Sequence, residues 1–450
     1  MNSISESEVS LNQLIIKAEQ DDSYLYELAF NYVYLMASSN IGLIESHNEK
    51  ILSVINKWRG SFKIANALYC LVKGYSLFFL TKPKEGLVEL EKMFDYCDDT
   101  DIFIGIKGVG LMGQGVCNRS LGRFDKTMEN CLGSLQYIER SKGKSEVYHV
   151  YVYRMLGEIH TYIGELEEAL NYYLKAESVF DTLSSSLLST AKFRVYDAIG
   201  NCYCEMGNTE EAEKYLTKAK EIPNLSEAEK ARVLCDFGVL YIHEPEKALN
   251  YFEESCEVRQ KANLEDAYTT SLIYKAECLI MLNKLAEAED VLKEAIPLVD
   301  KYNVPSKRLH LYQQFSSLNE KKEDFKEANK YFHLYDKLKT EIHLEQNKNI
   351  FHIKNKMISD QHQEIEQKHA ELKDTLSELA RIKVSRKALI FSILTVVVLV
   401  ILSEMFLEPM IEEYSMNQYI SIGAKIAIAF LLKPIDSLYE RLLFRKAYKA

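Results

Sequence analysis

The chain has 450 residues, a formal net charge of −11 and 47% hydrophobic residues, with 29 tyrosines against only 7 prolines. That length exceeds one ordinary core, and the acidic balance excludes the basic face that nonspecific nucleic-acid binding needs. The 9 cysteines form no CxxC pair, which points to core thiols in a reducing compartment; no zinc site, other metal or cofactor is expected.

In chain order, the leader MNSISESEVSLNQLII lacks a basic n-region and a long apolar core, so it does not read as a signal peptide. A short helix is expected around Leu11 to Ala18, after a frayed Ser/Glu-rich start. Apolar helices follow at Tyr24 to Met36 and Ile51 to Trp58. Residues 1–63 are expected to form degenerate capping helices, because terminal units of repeat arrays are atypical.

The stretch YRMLGEIHTYIGELEEALNYYLKA, Tyr153 to Ala176, reads as two short helices facing each other. Leu156, Gly157 and His160 share one face, Gly164 makes a turn, and Ala169, Tyr173 and Ala176 return at i, i+4, i+7. Small residues at Gly157 and Ala169 let the backbones approach. Such a hairpin cannot bury its apolar stripe alone and needs neighbours like itself. Copies follow at Tyr196, Gly200, Gly207 and Ala212, then at Gly238 and Ala248, with a turn shortened around Pro245. Further copies carry Ala276 and Ala288, closed by Pro297, and Ser316 and Ala328; upstream units carry Gly115 with Gly122, and Gly74 with Gly86.

This pattern resembles the tetratricopeptide repeat family, whose units place Leu-Gly, Tyr, Ala, Phe and Ala at comparable offsets. The period here is about 38 to 43 residues, against about 34 for the family. The expected fold is all-α: a right-handed solenoid of helical hairpins over residues 64–343, followed by a coiled coil and a transmembrane hairpin. The resemblance implies a partner groove lined by first-helix positions: Tyr151, Arg154, Glu158 and Thr161, then Arg194, Asp197, Asn201 and Cys204, then Arg232 and Cys235. Arg154, Arg194 and Arg232 would form a basic ladder for the carboxylates of an extended peptide, with Asn201 holding backbone and Tyr151 as platform. The alternative is that these arginines pair with Glu158 and Asp197 inside the groove.

Beyond residue 343 one apolar residue recurs every seventh position: Leu344, Phe351, Ile358, Ile365, Leu372 and Leu379. Residues 344–387 are read as a weak, register-specific coiled coil that would make a homodimer, the alternative being a single solvated helix. His362 and His369 are expected to be polar spacers of that seam, the alternative being that they sense pH from it. Ala388 to Ser403 carries no charge, and with its continuation to Leu407 it is long enough to span a membrane. A second apolar run, Tyr419 to Leu432, holds Lys425; it is read as a partner for Glu404 of the first run across the pair, the alternative being that Lys425 snorkels to an interface. Basic residues before the first run and after the second, with Glu408, Glu412 and Glu413 between, place both ends inside. Residues 388–432 are therefore expected as two transmembrane helices in the inner (cytoplasmic) membrane, with 433–450 a basic amphipathic tail and the repeats facing the cytoplasm.

No phosphate loop, nucleophile elbow, HExxH or EF-hand loop occurs. The glycines of GIKGVGLMGQG, Gly105 to Gly115, fit a closely packed helix better than a phosphate loop. The chain is expected not to be an enzyme. Repeats, coiled coil, then membrane resembles the sensor half of bacterial signalling proteins, without an output domain. That implies a scaffold or adaptor for a protein or peptide partner; the alternative is a regulator of a partner enzyme, akin to repeat-containing response-regulator phosphatases.

Overall fold

The computed structural model describes residues 2–37, 41–141, 146–182 and 189–413. Among these, the regular structure is helical, with no strand. Three helices open the chain: α1 (Asn2–Gln20), α2 (Leu25–Ala37) and α3 (Ile41–Trp58). Helix α1 begins at Asn2 rather than near Leu11, so the expected frayed leader is helical. Buried Leu11, Ile15 and Ala18 fix its inner face, and Trp58 Nε1 donates to Ala18 O at 3.0 Å.

Hairpins then succeed one another: α4 (Lys63–Phe79) with α5 (Pro83–Phe94), α6 (Asp101–Ser120) with α7 (Phe124–Arg140), and α8 (Glu146–Tyr162) with α9 (Leu166–Ser178). Next come α10 (Ser189–Glu205) with α11 (Thr209–Lys220), α12 (Glu227–Leu240) with α13 (Pro245–Lys261), α14 (Glu265–Met281) with α15 (Leu285–Tyr302), and α16 (Pro305–Lys321) with α17 (Phe325–Glu413). Buried side chains from α10 to α16 make one continuous core, from Phe193 through Phe252 and Leu292 to Leu318. Each hairpin thus supplies the apolar wall its neighbour lacks.

The turns share one solution. Thr81, Gly122, Gly164, Gly207, Asn283 and Glu323 each sit at positive φ between the two helices of a hairpin. Behind each, a backbone N–H reaches the carbonyl five residues earlier, as in Glu165 to His160 at 2.9 Å and Lys284 to Leu279 at 2.8 Å. This left-handed closure satisfies carbonyls that the helix end leaves open. The α12/α13 turn differs: Pro245 starts α13 directly, which shortens the connection.

A further reading of the sequence changes, and another is met. Pro297 does not close its unit but lies inside α15, which continues to Tyr302 and ends at left-handed Asn303. Buried Val299 and the hydrogen bond from Tyr302 Oη to Glu265 Oε2, 2.8 Å, hold the last turns onto α14. The glycines of α6 are packing residues: a β-carbon on Gly113 would stand 2.7 Å from the Tyr75 ring, and one on Gly108 2.9 Å from Ile138.

The chain divides into two compact units, Met1–Lys354 and Asn355–Ala450. In the first, Leu344 and Phe351 are exposed. In the second, Ile358, Ile365, Leu372 and Leu379 are exposed, so the heptad stripe has no partner within the single chain described. Farther along, Ile390, Ile393, Leu394, Val397, Val398 and Ile401 form another exposed apolar face. Among the described residues no helix is long and apolar enough to cross a membrane. Part of the Ala388–Ser403 run, the Glu404 side chain, the second apolar run with Lys425 and the basic tail lie outside what is described.

Candidate functional site

The first helices of three consecutive hairpins face one open cavity of about 460 Å³. Helical spacing aligns Arg154, Glu158 and Thr161 on α8, and Arg194, Asp197, Asn201 and Glu205 on α10; Arg232 comes from α12. Seven of the ten groove positions expected from the sequence therefore line it: Arg154, Glu158, Thr161, Arg194, Asp197, Asn201 and Arg232. Tyr151 is buried instead of presenting its ring, and its hydroxyl has no hydrogen-bond partner within the protein. Burial pushes that hydroxyl up to about 12, against the opposing charges of Arg194 and Arg154. Of the two positions carried from the family pattern on cysteines, Cys204 is half-buried and Cys235 belongs to the core.

The arginines do not stand as a bare ladder. Glu158 accepts from Arg154 one turn back on its own helix and from Arg119 at the end of α6. Burial works to raise the Glu158 carboxyl, but the charges of Arg154 and Arg119 outweigh it and hold it below its ordinary range. Arg232 Nη2 lies 2.8 Å from Asp197 Oδ2 and its Nε 3.9 Å from Asp236 Oδ2. Asp236 is held well above the ordinary carboxyl range, first by burial and then by the charge of Asp197 beside it. The pair thus carries about one negative charge, and Arg232 balances it.

Around Arg194 the balance differs. Burial, then the neighbouring charge of Arg154, lowers its affinity for its proton, although a guanidinium remains charged. Arg119, Arg154, Arg194 and Arg232 line the cavity together with Glu158, Asp197, Glu205 and Glu229, and the charge of Glu229 acts on Arg194. Arg154 Nε, like the Tyr151 hydroxyl, is buried without a hydrogen-bond partner in the protein. Such donors suit a carboxylate.

Sequence reasoning missed Arg119 and Asp236. Arg119 follows Gly115 by four residues, as Thr161 follows Gly157, so extending the register one hairpin upstream would have found it. Asp236 lies one turn beyond Arg232, beside the expected Cys235; only the rotation of α12 distinguishes them. Among the described residues no cluster of three His, Cys, Asp or Glu is arranged to hold a metal.

Residues 192–261, covering α10 to α13, match the family model described as tetratricopeptide repeat. Over those residues the chain carries tetratricopeptide repeats. No curated protein matches its sequence. Among solved structures, this tetratricopeptide array is similar to the apo form of the quorum sensor NprR from B. thuringiensis, with TM-score 0.51 and 18% identity over 75% of this chain and 99% of that one. NprR in complex with its cognate peptide NprX aligns with TM-score 0.50 and 16% identity, over 70% of this chain and 88% of that one. A Rap protein complexed with Competence and Sporulation Factor aligns with TM-score 0.50 and 12% identity, over 71% and 99%. At these identities the likeness is one of fold. No enzyme family is indicated.

Proposed function

We propose that this chain is a non-enzymatic tetratricopeptide adaptor that binds a carboxylate-bearing peptide or protein segment in the cavity between α8, α10 and α12. The observation that carries the reading is that four arginines, Arg119, Arg154, Arg194 and Arg232, line one cavity and that Arg154 Nε is left without a hydrogen-bond partner in the protein. A bound carboxylate would take up the donor that the protein leaves unused on Arg154, while Asn201 supplies an amide for peptide backbone. Fold likeness to NprR in complex with its cognate peptide NprX supports a peptide as occupant.

The reading includes anchorage in the cytoplasmic membrane through the apolar runs after residue 387, with the array on the cytoplasmic side. Its support is the arrangement of cationic flanks around an acidic connection. Dimerisation through the heptad stripe from Leu344 to Leu379 belongs to the same reading, supported by its exposure along a single chain. A second reading, in which the array regulates a partner enzyme, draws on the same fold likeness to regulators.

Selection of a random peptide library on the full chain in mild detergent tests the groove. Enrichment of peptides with acidic residues, lost in the variant Arg194→Met, is expected. Enrichment that ignores both peptide charge and this substitution would sink the groove reading.

A further inference from the structure

The N-terminal part of α17, as far as Lys354, lies against the turns of two distant hairpins. Ile353 is 1% exposed. With Asn349 and His352 it faces Gly122, Phe124 and Asp125 of the α6/α7 hairpin across a small cavity of about 210 Å³. Asn349 Nδ2 donates to Tyr162 Oη of α8 at 3.5 Å, although 187 residues separate the two in sequence. Lys354 Nζ lies 3.2 Å from Glu165 Oε1, and His160 Nδ1 lies 3.0 Å from the other oxygen of the same carboxylate. Phe124 stacks on Tyr162 with ring centres 4.3 Å apart, which joins the two hairpins beneath the helix. Burial works to raise the Glu165 carboxyl, but the hydrogen bonds from Lys354 and His160 bring it below its ordinary value.

The same two hairpins are bridged on the groove side. Arg119 at the end of α6 holds Glu158 on α8, and Glu158 precedes His160 by two residues. The groove bridge and the seat of α17 therefore cross one junction, between α6/α7 and α8/α9, from two sides. A rigid-body change at that junction cannot disturb one without the other, because packed helices move as units.

We infer that α17 is a strap whose seating at Asn349, Ile353 and Lys354 is coupled to the groove through the Arg119–Glu158 bridge. Resting on the groove reading above, the inference is that a ligand carboxylate competing with Glu158 for Arg119 and Arg154 loosens the junction and unseats the strap. Linkage is reciprocal, so unseating the strap changes groove affinity by the same factor. This gives the bound state a physical output in the helix that carries the heptad stripe.

Hydrogen–deuterium exchange of the full chain in mild detergent tests the coupling without any peptide. Wild type would be compared with Glu165→Gln, Lys354→Met, Glu158→Gln and the double variant Glu158→Gln/Glu165→Gln. Unchanged protection in α12 to α15 serves as the folding control. Each strap variant should speed exchange at residues 345–354 severalfold. Glu158→Gln should do so as well, although its ion-pair partners are Arg119 and Arg154 and none lies in that segment. The double variant should exceed neither single variant by much, because both release one seat. If Glu158→Gln speeds exchange only around residues 115–120 and 150–160, or if the effects at 345–354 multiply independently, the coupling is overturned. If the strap variants leave 345–354 unchanged, the strap itself is overturned. Failure to enrich any acidic peptide would remove the groove reading and leave this measurement standing.

Discussion

Arg232 on α12 reaches back to Asp197 on α10, Nη2 to Oδ2 at 2.8 Å, so the cation and anion of the groove floor come from successive hairpins. The pair is shared: Asp236, one turn along from Arg232, brings a second carboxyl to the same guanidinium. Two carboxyls and one arginine are stable while Asp236 keeps its proton.

That arrangement sets a pH dependence. Because the Asp236 carboxyl is raised in the folded state, its contribution is fully present below the unfolded value and is lost as pH rises through the folded one. Asp236→Asn mimics the protonated form. Urea unfolding from acid to alkaline pH should show the wild type losing stability against this variant as pH rises. A constant difference between the two across the range would contradict the assignment.

Gly157 and Tyr173 mark a close helix crossing in the third hairpin. A β-carbon on Gly157 would stand 2.6 Å from Tyr173 Cδ1, inside a fully packed wall. Gly157→Ala should cost about 1–3 kcal/mol by overpacking, read as a lower urea midpoint. Gly60, where a β-carbon meets nothing within 4 Å, provides the control, and Gly60→Ala should leave the midpoint close to wild type.

The turn at Glu323 has φ +62°, in the left-handed region where a side chain is strained. Glu323→Gly should stabilise the α16/α17 hairpin by up to about 1 kcal/mol, because relief of the strain of roughly 1–2 kcal/mol is partly offset by glycine's greater unfolded freedom. Thermal unfolding would show a raised midpoint. A lowered midpoint would mean that the side chain of Glu323 contributes more than its backbone costs.

These positions also show what could be read in advance. Hairpins were legible because glycine or alanine at the crossings, Gly157 with Ala169 and Gly200 with Ala212, recurs with the period of the array. Turns were legible where glycine takes the left-handed position, as at Gly164 and Gly207. Thr81 and Glu323 hold the same conformation without a glycine, so no residue type announced them. Pro297 misled because a proline inside a helix forfeits only local bonds, and the burial of Val299 carries α15 past it. In the site, residue identities on α8 and α10 followed from register, whereas Asp236 depended on the rotation of α12. The pairing of Arg154 with Glu158, four residues apart on α8, was legible, whereas that of Arg119 with the same carboxylate depended on the distance between hairpins.

The proposed membrane topology rests on the flanking charges. A cytoplasm-only reporter fused after residue 450 should be active, and the same reporter fused after residue 410 should be silent. Activity at 410 would mean that the first apolar run does not cross; silence at both would leave a single span with an external tail.

The most direct measurement is the affinity of a fluorescent acidic peptide, taken from the library selection, for wild type and for Arg194→Met by fluorescence anisotropy. Losing a charged hydrogen bond in the groove should weaken binding by about tenfold or more, since charged bonds contribute roughly 1.5–3 kcal/mol. Equal affinity in the two proteins, with both folded, would place the peptide elsewhere and contradict the groove as the binding site.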